Sequence, residues 1–328
     1  MAHDFAFTVA ATASPDDAAR VIQFAFLVAA GIFAASVAIR QAIRKGRDAP
    51  VGEPAAEGPP PLPDEALWPY QAPTAAPPSP EPAGRLRVRT DFYRMLDLPL
   101  IGLVVLVYFA LTAMPGEPSE VPLEKKFTAQ ALVGSMVFQL MLMGMVVGFM
   151  SWRAKPAEWL GLRWQSWPLA FAIAPLTVFF MWCLMGALHL SGWNGWLERS
   201  LGIDSMQEAV KLLQESRDVL VVGLMAVAAV LVAPVAEEVV FRGYLYPAGK
   251  RFCGPVGGVL FSSLVFAAAH GNVVALAPLF VLAVLLCAIY EFTGSLWACI
   301  AVHFLFNGAT VAVQLLARAG AVELPATP

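Results

Sequence analysis

Glu237 and Glu238 stand side by side in an apolar run, Ala236-Glu237-Glu238-Val239-Val240-Phe241-Arg242. An ionisable group on a hydrophobic helix is costly and needs a reason. On a helix, Glu238 and Arg242 are four residues apart and share a face, a spacing that makes an ion pair. Glu237 points about 100° away from them and is left unpaired by the same spacing. Glu238 and Arg242 would then balance charge while Glu237 remains free to act. Two later apolar runs carry the rest of the chemistry. One is Phe266-Ala267-Ala268-Ala269-His270, whose small residues let another helix come close. The other is His303-Phe304-Leu305-Phe306-Asn307, where His303 and Asn307 share a face. One acid, two imidazoles and a carboxamide can activate water and hold the oxyanion that forms when a peptide carbonyl is attacked. Singly, each residue also has a structural reading: a glutamate pair at a helix end, a core histidine, an asparagine bonding helices together, a packed phenylalanine. A proton path through a transporter would draw on the same residue types.

The elements that must position these residues are membrane helices. The chain of 328 residues is 59% hydrophobic and 14% charged, against about 25% charged for a soluble domain. Apolar runs at 21–39, 98–114, 127–150, 168–190, 220–246, 256–274, 276–290 and 295–316 predict an all-α, polytopic transmembrane helical bundle of about eight spans. Residues 50–82 hold twelve prolines and no long apolar run, so they read as an extended linker. Residues 205–213 read as a short interfacial helix. Lys and Arg cluster after the first, third and fifth spans: at Arg40, Arg44, Lys45 and Arg47, at Arg153, Lys155 and Arg163, and at Arg242, Lys250 and Arg251. That bias puts the N-terminus outside and the proline-rich linker in the cytoplasm. A net charge of -3 argues against a nucleic-acid partner. Cys183, Cys253, Cys287 and Cys299 have neither disulfide-framework nor metal-ligand spacing.

The three motifs, in this order, resemble the CAAX-protease and bacteriocin-processing family of membrane proteins. Its signature of Glu-Glu-x-x-x-Arg, Phe-x-x-x-His and His-x-x-x-Asn matches Glu237 to Arg242, Phe266 to His270, and His303 to Asn307. Phe241-Arg242-Gly243 and Leu160-Gly161-Leu162-Arg163 are also similar to family features, and the resemblance covers about residues 155–315. It implies an intramembrane endopeptidase similar to the prenyl-protein (Ras-converting) CAAX endopeptidase. Carried over, Glu237 activates water, His270 orients it, and His303 and Asn307 bind the oxyanion or the substrate carbonyl. Glu238, Arg242 and Phe266 support them. The implied partners are a membrane-associated peptide or protein, lipidated in some relatives, and membrane lipids. Non-proteolytic immunity, sorting or scaffolding is the alternative, and a proton-coupled transporter a more distant one.

No cofactor is favoured. Zinc is the metal the site could take, with Glu237, His270 and His303 as ligands, although no His-Glu-x-x-His helix is present. The expected organisation is an N-terminal membrane helix with a basic flank (1–46), the linker (47–95), accessory membrane helices (96–150), the catalytic membrane core (151–318) and a polar tail (319–328), in a bacterial inner membrane. Gly144 and Gly148 could serve contacts within one chain or between two, so the oligomeric state stays open. One tension remains. Counted along their spans, Glu237 falls on the cytoplasmic side and His270 nearer the opposite face, which calls for a strong tilt or a broad wet cavity to join them.

Overall fold

The computed structural model describes residues 15–47, 86–113, 122–164, 166–203 and 208–322. Most of the expected proline-rich linker, the start of the expected interfacial helix and the end of the polar tail lie outside the described residues. Within them the regular structure is helical throughout. In chain order the helices are α1 (Pro15–Arg47), α2 (Asp97–Ala113), α3 (Leu123–Lys126), α4 (Ala129–Ser151), α5 (Pro156–Trp159), α6 (Ala170–Leu190) and α7 (Trp193–Leu201). There follow α8 (Glu208–Glu215), α9 (Val219–Val227), α10 (Ala233–Val240), α11 (Tyr246–Ala269), α12 (Val273–Thr293) and α13 (Leu296–Arg318).

Among the described residues, six helical stretches are long and apolar enough to cross a membrane: Asp17–Lys45, Ala129–Ser151, Trp167–Leu190, Val219–Ala269, Val273–Thr293 and Leu296–Arg318. Six thus replaces the eight expected from the sequence, for two physical reasons. Helix α2 is apolar but has 17 residues, about 26 Å of helix against a hydrocarbon core of about 30 Å. The expected spans 220–246 and 256–274 fall within one apolar stretch of 51 residues, Val219–Ala269, as the two arms on either side of a turn at Gly254. Pro247 reads in the sequence as a stop; the helix instead absorbs it, as it does Pro234.

The means of absorption is a π turn two residues before each proline, at Ala228–Val232 and at Phe241–Leu245. In the first, the Ala233 N–H bonds back five residues to the Ala228 carbonyl. The Ala229 carbonyl then has no backbone donor, because the next nitrogen along is that of Pro234, which carries no hydrogen. Asn307 Nδ2 donates to it instead, at 2.8 Å. In the second, Tyr246 N–H bonds to the Phe241 carbonyl, and Pro247 deprives the Gly243 carbonyl of its helical donor. Here the Tyr93 hydroxyl and the Trp159 indole N–H both donate, each at 2.7 Å. Burial pushes the Tyr93 phenol well above its ordinary pKa, which keeps it a donor.

The 51-residue run reverses at Gly254, whose φ of 85° and ψ of 171° suit glycine alone. Its two arms pack in register: Gly249 meets Gly258, the Phe241 ring lies 5.0 Å from that of Phe266, and Glu237 faces His270. Each step back along the first arm is matched by an equal step forward along the second. Gly254 lies midway between Glu237 and His270, so the two reach the same level, and the tension left by the sequence disappears. The error there was to end the first arm at Tyr246. Around this hairpin, α1 and α12 lie along α11, α4 supports α10, and α13 packs on α6 and α8. The outward faces of α4 and α6 present Met141, Leu176 and Phe179, as lipid-facing helices do.

A Cβ at Gly258 would lie 2.5 Å from the Lys250 nitrogen and 2.8 Å from its Cα, backbone atoms that cannot rotate away. Gly258→Ala therefore costs about 1–3 kcal/mol of stability by overpacking. Gly223→Ala, in open space on α9, leaves stability within about 0.5 kcal/mol. Thermal unfolding of both variants in detergent checks the contrast.

Candidate active site

Four elements converge at the site. Glu237 and Glu238 come from α10, held between the two π turns; Arg242 lies in the second turn; His270 ends α11; and His303 and Asn307 lie on α13. The expected ion pair is present, with Arg242 Nη1 donating to Glu238 Oε1 at 3.0 Å, and both side chains are almost wholly buried. Glu238 has a second partner that the sequence does not announce. His303 Nδ1 lies 2.8 Å from the same Oε1, across the bundle from a residue 65 positions away. A buried carboxylate thus holds a guanidinium and an imidazole at once. The Arg242 guanidinium also sits 4.3 Å over the Phe266 ring, which adds a cation-π contact.

Both imidazoles are fixed in orientation. His270 Nδ1 lies 2.8 Å from the Phe266 carbonyl, which can only accept, so Nδ1 carries the hydrogen and Nε2 faces the site. His303 is set the same way by Glu238, since a carboxylate oxygen bound to Arg242 accepts. Phe266 does more than pack: its ring lies 4.8 Å from that of His270 and 6.0 Å from that of His303, flooring both, while its carbonyl chooses the tautomer of one.

The two Nε2 atoms point at one oxygen. Glu237 Oε2 is 3.9 Å from His270 Nε2 and 4.0 Å from His303 Nε2, and it accepts no hydrogen bond within the protein. These gaps are too long for direct hydrogen bonds. Exposure is graded: His270 is 31% exposed, Glu237 19% and His303 3%. The geometry therefore brings Glu237, His270 and His303 together. Asn307 lines the same cavity one turn further along α13, with one amide hydrogen committed to Ala229. The cavity has a volume of about 640 Å³.

Zinc held tetrahedrally at about 2.0–2.1 Å sets its ligand atoms about 3.3 Å apart. The separations of 3.9 and 4.0 Å are wider, and no group of three or more His, Cys, Asp or Glu among the described residues is placed to hold a metal ion. The residues as arranged do not fit a resident zinc.

Outside the site, two buried networks brace the end of the bundle nearest Gly254. Asp97, fully buried at the start of α2, accepts from Arg153 Nη1 at 2.7 Å and from the Tyr244 hydroxyl at 3.1 Å. Glu291 accepts from the Tyr246 hydroxyl, Lys250 Nζ and the Val88 N–H. Composition reads Arg153 and Lys250 only as topology markers; a three-dimensional partner is needed to see them as ion-pair members.

Removing one member of the buried pair leaves the other uncompensated. Arg242→Met should destabilise the fold by about 3–5 kcal/mol, and the double variant Glu238→Gln with Arg242→Met by less than the sum of its parts. Denaturant titration of the two single variants and the double variant measures that coupling.

The comparisons with known proteins bear on this segment. Residues 220–309 match the family model described as type II CAAX prenyl endopeptidase Rce1-like. No curated protein and no solved structure matches the chain. The matched segment runs from α9 into α13 and contains Glu237, Glu238, Arg242, Phe266, His270, His303 and Asn307. Over residues 220–309, the chain is similar to the family described as type II CAAX prenyl endopeptidase Rce1-like.

Proposed function

We propose that the protein is an intramembrane endopeptidase of the glutamate type, hydrolysing a peptide bond in a membrane-associated protein or peptide. The observation that carries this reading is the convergence of two tautomer-fixed imidazoles on the unpartnered oxygen of Glu237. A water between these groups gives its proton to Glu237 as its oxygen attacks the scissile carbonyl. His270 orients that water through Nε2. The charge that develops on the carbonyl oxygen is met by His303, whose ring Glu238 holds in orientation through Nδ1. Arg242 donates to Glu238 and holds it in place. Asn307 acts at one remove: it holds the first π turn, and with it the start of the segment that carries Glu237, while facing the cavity. Collapse of the tetrahedral intermediate returns the proton from Glu237 to the leaving amine.

Two carboxylates side by side thus take different work because their surroundings differ. Glu238, fully buried and bonded twice at Oε1, is a positioning residue; Glu237, which lines the cavity, meets the reacting water, and Oε2 of each is without a hydrogen-bond partner.

New protein termini in membranes of cells carrying the intact chain, compared by mass spectrometry with those of Glu237→Gln cells at equal abundance, test the proposal. Termini lost in the variant, with turnover reduced by about 10²–10⁴-fold, support proteolysis and identify the substrate. Identical termini with a normally folded variant overturn it in favour of a non-proteolytic role.

A further inference from the structure

We infer that the cavity of the proposed peptidase takes its substrate from the extracytoplasmic face of the membrane, as an extended apolar peptide segment on that side. The inference rests on the proteolytic reading for what is cleaved, and on the bundle itself for where it comes from.

The two ends of the bundle differ in charge. Arg40, at the end of α1, donates to the Lys250 and Arg251 carbonyls beside the Gly254 turn. Lys250 Nζ donates to the Val88 carbonyl, and Arg153 bonds Asp97 at the start of α2. The basic segments that follow α1, precede α2, follow α4 and flank the Gly254 turn therefore gather at one end. The Lys and Arg rule makes that end cytoplasmic.

Seen from the Glu237 carboxylate, the cytoplasmic direction is closed. Glu238, Phe241, Arg242, Tyr244, Leu245 and Phe266 fill it, each 0–1% exposed. The cavity leads the other way. It passes along α13 from His303 through Thr310 to Gln314, and ends among His189 at the last turn of α6, Asn194 in α7 and Val210 in α8. These lie at the end of the bundle remote from the Gly254 turn, where α8 is fastened to α13 by the Gln214–Gln314 bond of 2.5 Å.

The lining indicates what is taken. Met185, Leu188, Leu213, Pro278 and Leu279 make an apolar wall, and the polar His189, Asn194 and Gln314 stand near the mouth. Such a cleft, with a volume within the range of ligand sites, suits an extended apolar peptide segment at the outer surface. A lipidated C-terminus displayed in the cytoplasm meets the closed floor instead.

Site-directed labelling decides the matter without depending on catalysis. Asn194→Cys is placed in a Cys183→Ala chain, since Cys183 is the exposed native thiol among the four; Arg251→Cys, exposed at the opposite end, is the control. A membrane-impermeant maleimide should modify Asn194→Cys in right-side-out vesicles and lose it in inside-out ones, with Arg251→Cys giving the reverse. His189→Cys serves as the second mouth position if Asn194→Cys does not accumulate. Reaction of the mouth cysteines from the cytoplasmic side, or from the same side as Arg251→Cys, or from neither side, overturns the inference. Because labelling needs no cleavage, loss of the proteolytic reading and loss of this one are told apart.

Discussion

A carboxylate in the middle of an apolar bundle is tolerable only if its charge is answered there, and Glu238 is answered twice. Arg242, one turn along the same helical run, supplies the cation; His303, from another helix, supplies a second donor to the same oxygen. Desolvating such ions is expensive, and their mutual attraction offsets the cost only where geometry and extra bonds are good. Here that requirement ties three elements together. Rotation of α10 would strand Glu238, a shift of α13 would remove His303, and a straightened second π turn would move Arg242. The aim of Nε2 at Glu237 follows from this: the imidazole orientation comes from the buried carboxylate behind it rather than from the cavity side.

The prolines of the long run have a related effect. A proline in a helix interior normally kinks or ends it, because a carbonyl loses its donor and the ring crowds the preceding turn. In this chain the widened turns before Pro234 and Pro247 relieve the crowding, and side chains from elsewhere take the freed carbonyls. The glutamate pair lies between these two fastened points. A helix that would otherwise slide against its neighbours along a smooth apolar surface is pinned at two heights, by α13 above and by Tyr93 and Trp159 below.

How much of this was legible in the sequence depends on the range of each interaction. Glu238 with Arg242 is an i,i+4 relation, readable from spacing, and the same arithmetic sets Glu237 apart. The placing of His270 and His303 on separate apolar helices was readable from runs and motifs. Their meeting at Glu237 was not, because it needs the level of each helix, which the reversal at Gly254 fixes and which a stop at Pro247 misjudges. The Glu238–His303 bond spans 65 positions and leaves no local pattern. The Asn307 bond to Ala229 depends on a backbone widening that no residue type announces. The helix count differs at α2, where length is the criterion, and along Val219–Ala269, where two expected spans are the arms of one apolar stretch.

The matched arms of the hairpin make the segment between Glu237 and His270 intolerant of changes in length. Adding or deleting one residue in either arm turns everything beyond it by about 100° and slides it about 1.5 Å. Glycine would then meet a larger neighbour where it now meets glycine, and the acid would face a different turn of the partner helix. Only the few positions around Gly254, beyond the Gly249 and Gly258 contact, can absorb an insertion without breaking the pairing. Across divergent copies of this chain, gaps in this region should therefore gather at the tip of the hairpin, leaving the spacing from acid to glycine and from glycine to imidazole intact on each side.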